Sequence, residues 1–319
     1  MLDHKNKLLS KLNPKVVKFL RNSLAFIIRI LRKITIPGTN KMPLYDVVIF
    51  FLKGLTEGRL TLRASSISFD FFLALFPVII VFFTLIPFIP ITGFQEELLH
   101  FLEDVIPSTL WIHVSETLED IIVQPRSGLL SLGFLLALFF STNGVNSIIE
   151  GFNSSYHTTE KRPYLKQRLV SLYIVLVQSV LVILAVSLFL IGGRILQFLV
   201  FHGILTNQLT IVILHIVRWL MIVGLFLVSV SFLYYFAPAK KKEYKFFSIG
   251  AIFTSGMMIL TTYGFNFYIE NFNRYNALYG SIGTLLVFLL WLYFNSIIIL
   301  IGFELNISIN TAKKRFENA

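Results

Sequence analysis

A chain of 319 residues with 55% hydrophobic and only 14% charged residues is not an ordinary soluble domain, because such domains carry about 25% charged residues. Its mean hydropathy of +0.76 indicates an integral membrane protein, and the absence of cysteine excludes disulfides and thiolate metal sites. A net charge of +11 would also fit a protein that binds nucleic acid. The positions of the basic residues test this alternative.

Residues 1–62 are predicted to form a cytoplasmic, basic and amphipathic region. Four basic residues share one face of a helix across 15–34, opposite an apolar face: Lys18, Arg21, Arg29 and Arg32. A helix of this kind lies on an anionic membrane surface and does not cross it. A second short helix, at about 44–58, is expected to lead into the first membrane span. No cleaved signal peptide is predicted.

Residues 63–308 are predicted to form the membrane domain, since six apolar runs there are long enough to cross roughly 30 Å of hydrocarbon. The runs lie at about 66–91, 128–151, 169–192, 209–236, 246–268 and 279–308. The predicted fold class is all-α, a polytopic integral membrane protein with six transmembrane helices and N-terminal amphipathic cytoplasmic helices. The external loop 93–127 is acidic and predicts two amphipathic helices broken around Pro107. Residues 309–319 form a basic cytoplasmic tail.

The basic residues are distributed unevenly between the two sides of the predicted membrane domain. Of the 28 lysines and arginines, 24 fall in the N-terminal region, the second and fourth loops and the tail. By the positive-inside rule both termini are predicted to be cytoplasmic and the chain to cross the membrane several times. Because membrane orientation accounts for the basic charge, no basic face remains for nucleic acid.

Reporter fusions would test this topology. Fusions after residues 110 and 205 are expected to behave as extracytoplasmic, and fusions after residues 160 and 242 as cytoplasmic, because loop charge sets orientation. The measurement is the activity of a reporter that works on only one side of the membrane. An inverted pair would overturn the argument from charge.

Polar side chains within the predicted spans are candidate functional groups, because hydrocarbon makes them costly. The alternative is that they only lock helices together. A polar network is predicted towards the cytoplasmic side, formed by Arg63, Asp70, Asn143, Asn146, Glu150, Asn153, Arg168, Asn295, Glu304 and Asn306. Within it we expect Glu304 to interact with Arg168 or Arg63 across helices, joined by the polar face around Glu150.

A second set of polar groups is predicted near the outer side: His215, Arg218, Glu270 and Arg274. An outer basic group would attract an anionic head group or close a gate, or Arg218 simply pairs with Glu270. The fifth span is rich in small and hydroxyl residues, which indicates close helix packing.

Four segments carry a family resemblance: RASSISFDFFLALFPVII, FNSSYHTTEKRPYLKQR, YYFAPAKK and YGSIGTLLVFLLWLYFNSIIILIGFELN. They resemble signature segments of the YihY/BrkB family of bacterial membrane proteins, over about 45–308. The chain departs mildly at Phe303, where the family usually has alanine, and at Phe69 or Phe71, where it usually has tyrosine. The resemblance implies a six-helix inner-membrane fold. It implies no settled activity, since members have been called ribonuclease BN, generally regarded as a misassignment, or proposed to export lipid-type molecules.

The polar stripes and charged groups favour a transporter or exporter of a lipid-like or other amphipathic substrate through a polar-lined cavity. The alternative is a non-enzymatic membrane scaffold or envelope-assembly factor. A nuclease is disfavoured because the six histidines are scattered and form no HxH or HxxxH pair. No Walker-type loop is present, and no enzymatic activity or cofactor is expected. The expected partners are membrane lipids, with the anionic leaflet at the N-terminal helix, and homo-oligomerisation is left open.

Overall fold

The computed structural model describes residues 44–57, 59–88, 94–105, 108–155, 158–159, 162–203, 207–239, 245–271 and 281–317. The amphipathic helix predicted across 15–34 lies outside these residues. The described chain is all-α apart from one short ladder. Its helices are α1 (Leu44–Glu57), α2 (Leu60–Leu85, followed by a 3-10 turn at Ile86–Phe88), α3 (Phe94–Val105), α4 (Ser108–Val123), α5 (Ser127–Asn153), α6 (Tyr164–Phe201), α7 (Gln208–Phe236), α8 (Ile249–Asn271) and α9 (Ser281–Glu317).

The short elements predicted from the sequence are present. α1 occupies the position of the second N-terminal helix. α3 and α4 are the two helices predicted in the loop 93–127; the first ends at Val105 and the second begins at Ser108. After α5, a two-residue antiparallel ladder pairs β1 (Ser154–Ser155) with β2 (Thr158–Thr159).

Five helices in the described part of the chain are long and apolar enough to span a membrane. They are Leu60–Phe88, Ser127–Asn153, Tyr164–Phe201, Gln208–Phe236 and Leu285–Lys314. The remaining predicted span corresponds to α8, a helix of 23 residues. Its glycines, threonines, tyrosines and asparagines lower its hydropathy, so a total of six spans stays a prediction.

The six long helices contact one another in chain order and close a ring. α2 packs on α5, α5 on α6, α6 on α7, α7 on α8 and α8 on α9, and α9 returns to α2. α1 lies outside the ring and packs on α9 and α2. The start of α2 and the end of α9 therefore meet beneath α1, at the end of the bundle that the basic charges predict to be cytoplasmic.

The buried core is concentrated at this predicted cytoplasmic end. Ile67 of α2, Ile149 and Phe152 of α5, and Phe303 of α9 belong to one core cluster. The rings of Phe152 and Phe303 stack with their centroids 3.9 Å apart. At the opposite end, large apolar side chains such as Leu209 are exposed, as expected where lipid is the solvent.

Candidate functional site

The carboxylate of Glu304 lies enclosed at the predicted cytoplasmic end. Only 1% of the residue is exposed. Its Oε2 accepts a hydrogen bond of 2.7 Å from the buried Ser155 hydroxyl, which the ladder after α5 holds in place. Gly54 of α1 lies against the same carboxyl group, since a Cβ added there would be 2.0 Å from Oε1. Glu304 is thus covered by α1 and by the chain that follows α5.

Arg63 of α2 supplies positive charge beside Glu304. The two side chains are close enough for an attractive electrostatic interaction. Nη1 of Arg63 donates a 2.7 Å hydrogen bond to the carbonyl of Gly151, while its Nε and Nη2 are buried and bond to no residue that the structure describes. A buried charge needs an opposite charge nearby. We therefore expect Glu304 and Arg63 to stabilise each other.

Arg168, the other predicted partner of Glu304, contacts α5 instead. Its Nη1 donates to Oδ1 of Asn143. Its guanidinium lies over the ring of Phe139, 4.9 Å from the centroid, a distance at which cation–π attraction operates. Arg168 therefore links α6 to α5.

The polar side chains of α5 form hydrogen bonds with both of its neighbours, α2 and α6. On one side the Ser147 hydroxyl donates to Oδ2 of Asp70 in α2. On the other side Gln167 of α6 donates to Oδ1 of Asn146 at 2.7 Å, and Asn146 donates to the exposed Glu150 at 2.8 Å. These hydrogen bonds fasten α5 to α2 and α6.

The end of α7 is held by two side chains. Oδ1 of Asn153 accepts a 2.8 Å hydrogen bond from the backbone of Ala239. Arg162 donates to the carbonyls of Ala237, at 2.9 Å, and Pro238. Burial lowers the pKa of Arg162 from its usual value. Since arginine still carries its charge at neutral pH, Arg162 suits the carbonyl end of a helix.

α8 and α9 meet at backbone contact. A Cβ on Gly250 would lie 2.2 Å from the carbonyl oxygen of Gly302. Asn306 completes the junction, accepting from the backbone N–H of Gly250 at 2.8 Å and donating to the Ser248 hydroxyl at 2.8 Å. Asn306 therefore fastens the start of α8 to α9.

A third helix joins this junction through a buried tyrosine. The Tyr234 hydroxyl of α7 lies 2.6 Å from Oγ1 of Thr254 and donates to the carbonyl of Ile299 at 2.7 Å. A Cβ on Gly302 would collide with both hydroxyl groups, at 1.8 Å from Thr254 and 2.6 Å from Tyr234. The predicted cytoplasmic end is thus closed by packing and hydrogen bonds.

An apolar cleft opens between α6, α7, α8 and α9 on the outer side of this packed end. Its volume is about 490 Å³. A second depression of about 510 Å³ adjoins it between α8 and α9 and shares Thr262, Tyr263 and Trp291. The cleft walls are mostly apolar and include Ala185 and Phe226. Of the ten residues predicted to form the cytoplasmic polar network, one is among the residues that line this cleft.

That residue is Asn295 of α9. It is 5% exposed and lines the cleft with Ser229 of α7. Its Nδ2 donates to the carbonyl of Trp291 at 2.8 Å, whereas its buried Oδ1 accepts no hydrogen bond from a described residue. Ser229 is engaged with Gln178 of α6, whose Nε2 donates to the Ser229 carbonyl at 2.9 Å and whose Oε1 accepts from the Ser229 hydroxyl.

The predicted outer polar residues are only partly described. His215 is exposed, and Arg218 lies against Gly192 and Gly193, where a Cβ on Gly193 would be 2.7 Å from Nη1. Arg274 and the side chain of Glu270 lie outside the described residues. Within the described ranges, no group of three or more His, Cys, Asp or Glu could hold a metal ion.

Some contacting residues were absent from the predicted site. Each of them contacts a helix, or the end of a helix, other than its own: Gly54, Ser155, Arg162 and Gln178. Gln178 carried a usable signal, because an amide within an apolar run needs a hydrogen-bond partner. Gly54 and Ser155 carried none, because their importance comes from a residue far away in the chain.

These features define a polytopic α-helical membrane protein that is closed at one end and has a cleft among its helices. The family model described as "Virulence factor BrkB" matches residues 51–319. The chain belongs to this BrkB family.

Two curated relatives are similar to the chain over most of their length. The ribonuclease-like protein YfkH of Bacillus subtilis is 31% identical over 253 residues, 79% of this chain and 90% of the relative. A UPF0761 membrane protein of Alteromonas mediterranea is 25% identical over 278 residues, 86% of this chain and 90% of the relative. No solved structure matches the chain.

Proposed function

We propose that this BrkB-family protein moves a lipid-like or other amphipathic molecule across the bacterial inner membrane by way of the cleft. The observation that carries the proposal is the combination of apolar cleft walls with a polar residue, Asn295, among the lining residues. A lipid in the bilayer meets apolar surface on many helices, but it meets polar side chains at membrane depth only where helices part. Such a cleft suits an apolar chain with a polar end.

The packed end supports one step of the proposal. Tyr234 of α7 lies 2.6 Å from Thr254 of α8 and donates to the carbonyl of Ile299 in α9, which joins three helices of the cleft. Together with Glu304, which is covered by Gly54 and bonded to Ser155, this packing closes the route towards the predicted cytoplasm. Transport requires access to alternate between the two sides of a site near the membrane centre. We therefore propose that the described arrangement is the state closed to the cytoplasm, and that opening separates α1 from Glu304.

Reconstitution in liposomes tests the proposal. Vesicles would contain fluorescent lipids with different polar ends, and a membrane-impermeant quencher would report movement between leaflets. We expect the protein to increase the fraction of at least one labelled lipid that becomes accessible, relative to protein-free vesicles. A folded protein that moves none of them would contradict the proposal and favour the scaffold alternative, which the packed end also suits.

A pair of neighbouring substitutions provides the matched control. Ala185 lines the cleft, so Ala185→Phe would fill it and is expected to slow movement about tenfold or more. Leu184 is 51% exposed on the same helix and does not line the cleft, so Leu184→Phe is expected to leave the rate nearly unchanged. Equal effects of the two variants would place the route elsewhere.

A further inference from the structure

Arg218 of α7 is a charged side chain within an apolar helix, and no described residue forms an ion pair or hydrogen bond with it. We propose that the cleft binds a phospholipid whose phosphate accepts hydrogen bonds from the Nη atoms of Arg218 and whose acyl chain occupies the cleft. The inference deepens the proposed function, on which it rests for the role of the bound lipid as cargo.

Arg218 lies on a helix face that lines the cleft. Residues spaced by three, four or seven positions share one face of a helix. Ile222 and Ser229 of α7 line the cleft, and Arg218 precedes Ile222 by one turn on the same face. On α6, Gly192 lies about two turns beyond Ala185, which also lines the cleft. Arg218 and Gly192 therefore continue the cleft towards the predicted outer side.

The same position is level with lipid headgroups. A helix crosses the hydrocarbon with about 20 residues. Counted from Arg168 of α6 and from Phe236 at the end of α7, that length reaches about residue 188 and about residue 216. Arg218 thus lies near the predicted outer boundary of the hydrocarbon, and Trp219 beside it is of the type enriched there.

The side chain of Arg218 is held against two glycines of α6. A Cβ on Gly192 would lie 3.2 Å from Cδ of Arg218, and a Cβ on Gly193 would lie 2.7 Å from Nη1. The Nε atom is buried, but Nη1 and Nη2 are not among the buried atoms without a hydrogen bond. Since they bond to no described residue, both Nη atoms keep accessible surface. They are the atoms that a ligand reaches.

The charges around Arg218 favour an anionic ligand. The sequence contains no Asp or Glu between Glu160 and Glu243, so neither α6 nor α7 supplies a carboxylate. The exposed Arg194 follows Gly193 directly and adds positive charge to this end of α6. Arginine keeps its charge and binds phosphate with two parallel hydrogen bonds. A phosphate therefore compensates the guanidinium at the membrane boundary, whereas an uncharged lipid leaves it unpaired.

The cleft suits the apolar part of the same molecule. Ala185, Phe226 and Met258 contribute apolar surface, and the lining includes no Asp, Glu, Lys, Arg or His in the described chain. A volume of about 490 Å³ lies within the range of sites that hold one small ligand. An acyl chain extending from a phosphate at Arg218 meets this surface directly.

Tryptophan fluorescence offers a direct test. Trp219 lines the cleft and follows Arg218, and the Trp111→Phe/Trp291→Phe protein retains Trp219 alone of its three tryptophans. Phosphatidylglycerol and diacylglycerol with identical brominated acyl chains would be added in an uncharged detergent. We expect phosphatidylglycerol to quench at about fivefold lower concentration, because the phosphate adds a contact to one arginine. Equal quenching by the two lipids would overturn the proposal.

Substitution of Arg218 tests the assigned group. Arg218→Gln is expected to lose the preference for phosphatidylglycerol over diacylglycerol. Arg126, on the predicted outer side, is paired with Asp120, so Arg126→Gln should keep the preference. A preference retained by folded Arg218→Gln would refute the assignment. If that variant does not fold, the comparison of the two lipids on unsubstituted Arg218 still decides.

A further variant separates the proposal from a pair between Arg218 and Glu270. If Glu270 neutralised the arginine, Glu270→Gln would strengthen the preference for phosphatidylglycerol, and that outcome would overturn the proposal. We expect the preference to stay unchanged.

Free phosphate is the other source of the same chemistry. Inorganic phosphate, added at constant ionic strength, is expected not to displace the brominated phosphatidylglycerol, because it gains nothing from the apolar cleft. Displacement would assign Arg218 to free phosphate and contradict the lipid. Ala185→Phe, which fills the cleft, is expected to weaken quenching by both lipids, and unchanged quenching would show that the acyl chain lies elsewhere.

Binding and transport can fail separately. The quenching measurement needs no movement between leaflets, so confirmed binding without transport of phospholipid in liposomes would reject only the proposed function. Transport of labelled lipids by a protein that does not prefer phosphatidylglycerol over diacylglycerol would reject only the assignment of the phosphate to Arg218.

Discussion

Replacing Gly250 by alanine is expected to destabilise the protein by about 3 kcal/mol. The added Cβ would lie 2.2 Å from the backbone oxygen of Gly302 and 2.6 Å from the amide of Asn306. A backbone oxygen cannot rotate away, so α8 would have to move from α9. That movement would also disturb the 2.8 Å hydrogen bond between Asn306 and the N–H of Gly250. Denaturing-detergent titration of the protein in mixed micelles, followed by circular dichroism, measures the change.

Gly256 provides a matched control on the same helix. A Cβ there would meet no atom within 4 Å, so Gly256→Ala should stabilise α8 by about 0.5–1 kcal/mol through the higher helix propensity of alanine. The same chemical change is thus expected to have opposite signs at two positions six residues apart. Similar effects at both positions would show that α8 and α9 are not in backbone contact.

Replacing Glu304 by leucine is expected to lower the free energy of unfolding by about 3–5 kcal/mol. Leucine would leave the buried Arg63 without its negative neighbour and the Ser155 hydroxyl without its acceptor. Glu304→Gln keeps the shape and an acceptor oxygen, so it should cost less stability than leucine. Because it removes the charge, we expect it to impair lipid movement more than expression. Detergent titration and the liposome assay measure the two effects.

Glu150 is the matched carboxylate for this comparison. It is exposed and accepts a hydrogen bond from Asn146 of the same helix. Glu150→Gln is expected to change stability by only about 0.5 kcal/mol, as is usual for surface substitutions. If Glu304→Leu were as mild as Glu150→Gln, Glu304 and Arg63 would not form a stabilising pair.

The sequence determined the positions of the helices. Apolar runs bounded by polar loops predicted each long helix, because only a helix satisfies every backbone hydrogen bond within hydrocarbon. Pro107 and the helical spacing in the acidic loop 93–127 predicted two short helices, and α3 and α4 lie there, the first ending at Val105 and the second beginning at Ser108. α1 was predicted as a short helix before the first span. The small residues of the fifth span indicated close packing, and Gly250 and Thr254 lie at such contacts.

Only the tertiary structure decided which polar groups meet. Helical spacing places Asn146, Ser147 and Glu150 on one broad face of α5, but it does not tell which helix packs against each edge of that face. Asn146 contacts α6 and Ser147 contacts α2, because α5 lies between those helices in the ring. The spacing of polar residues along a sequence shows which side of a helix they occupy. It does not show which neighbouring helix packs against that side.

The same reason separates Glu304 from Asn295, which share a helix and were predicted to belong to one polar network. Glu304 lies where α1, α2 and β1 converge, so it is covered by Gly54 and bonded to Ser155. Asn295, nine residues earlier in the sequence, lies where α6, α7, α8 and α9 part and leave a cleft. The sequence by itself determined that both side chains lie within an apolar helix. Long-range packing decided that one is enclosed and the other lines a cleft, because enclosure depends on the distances between helices.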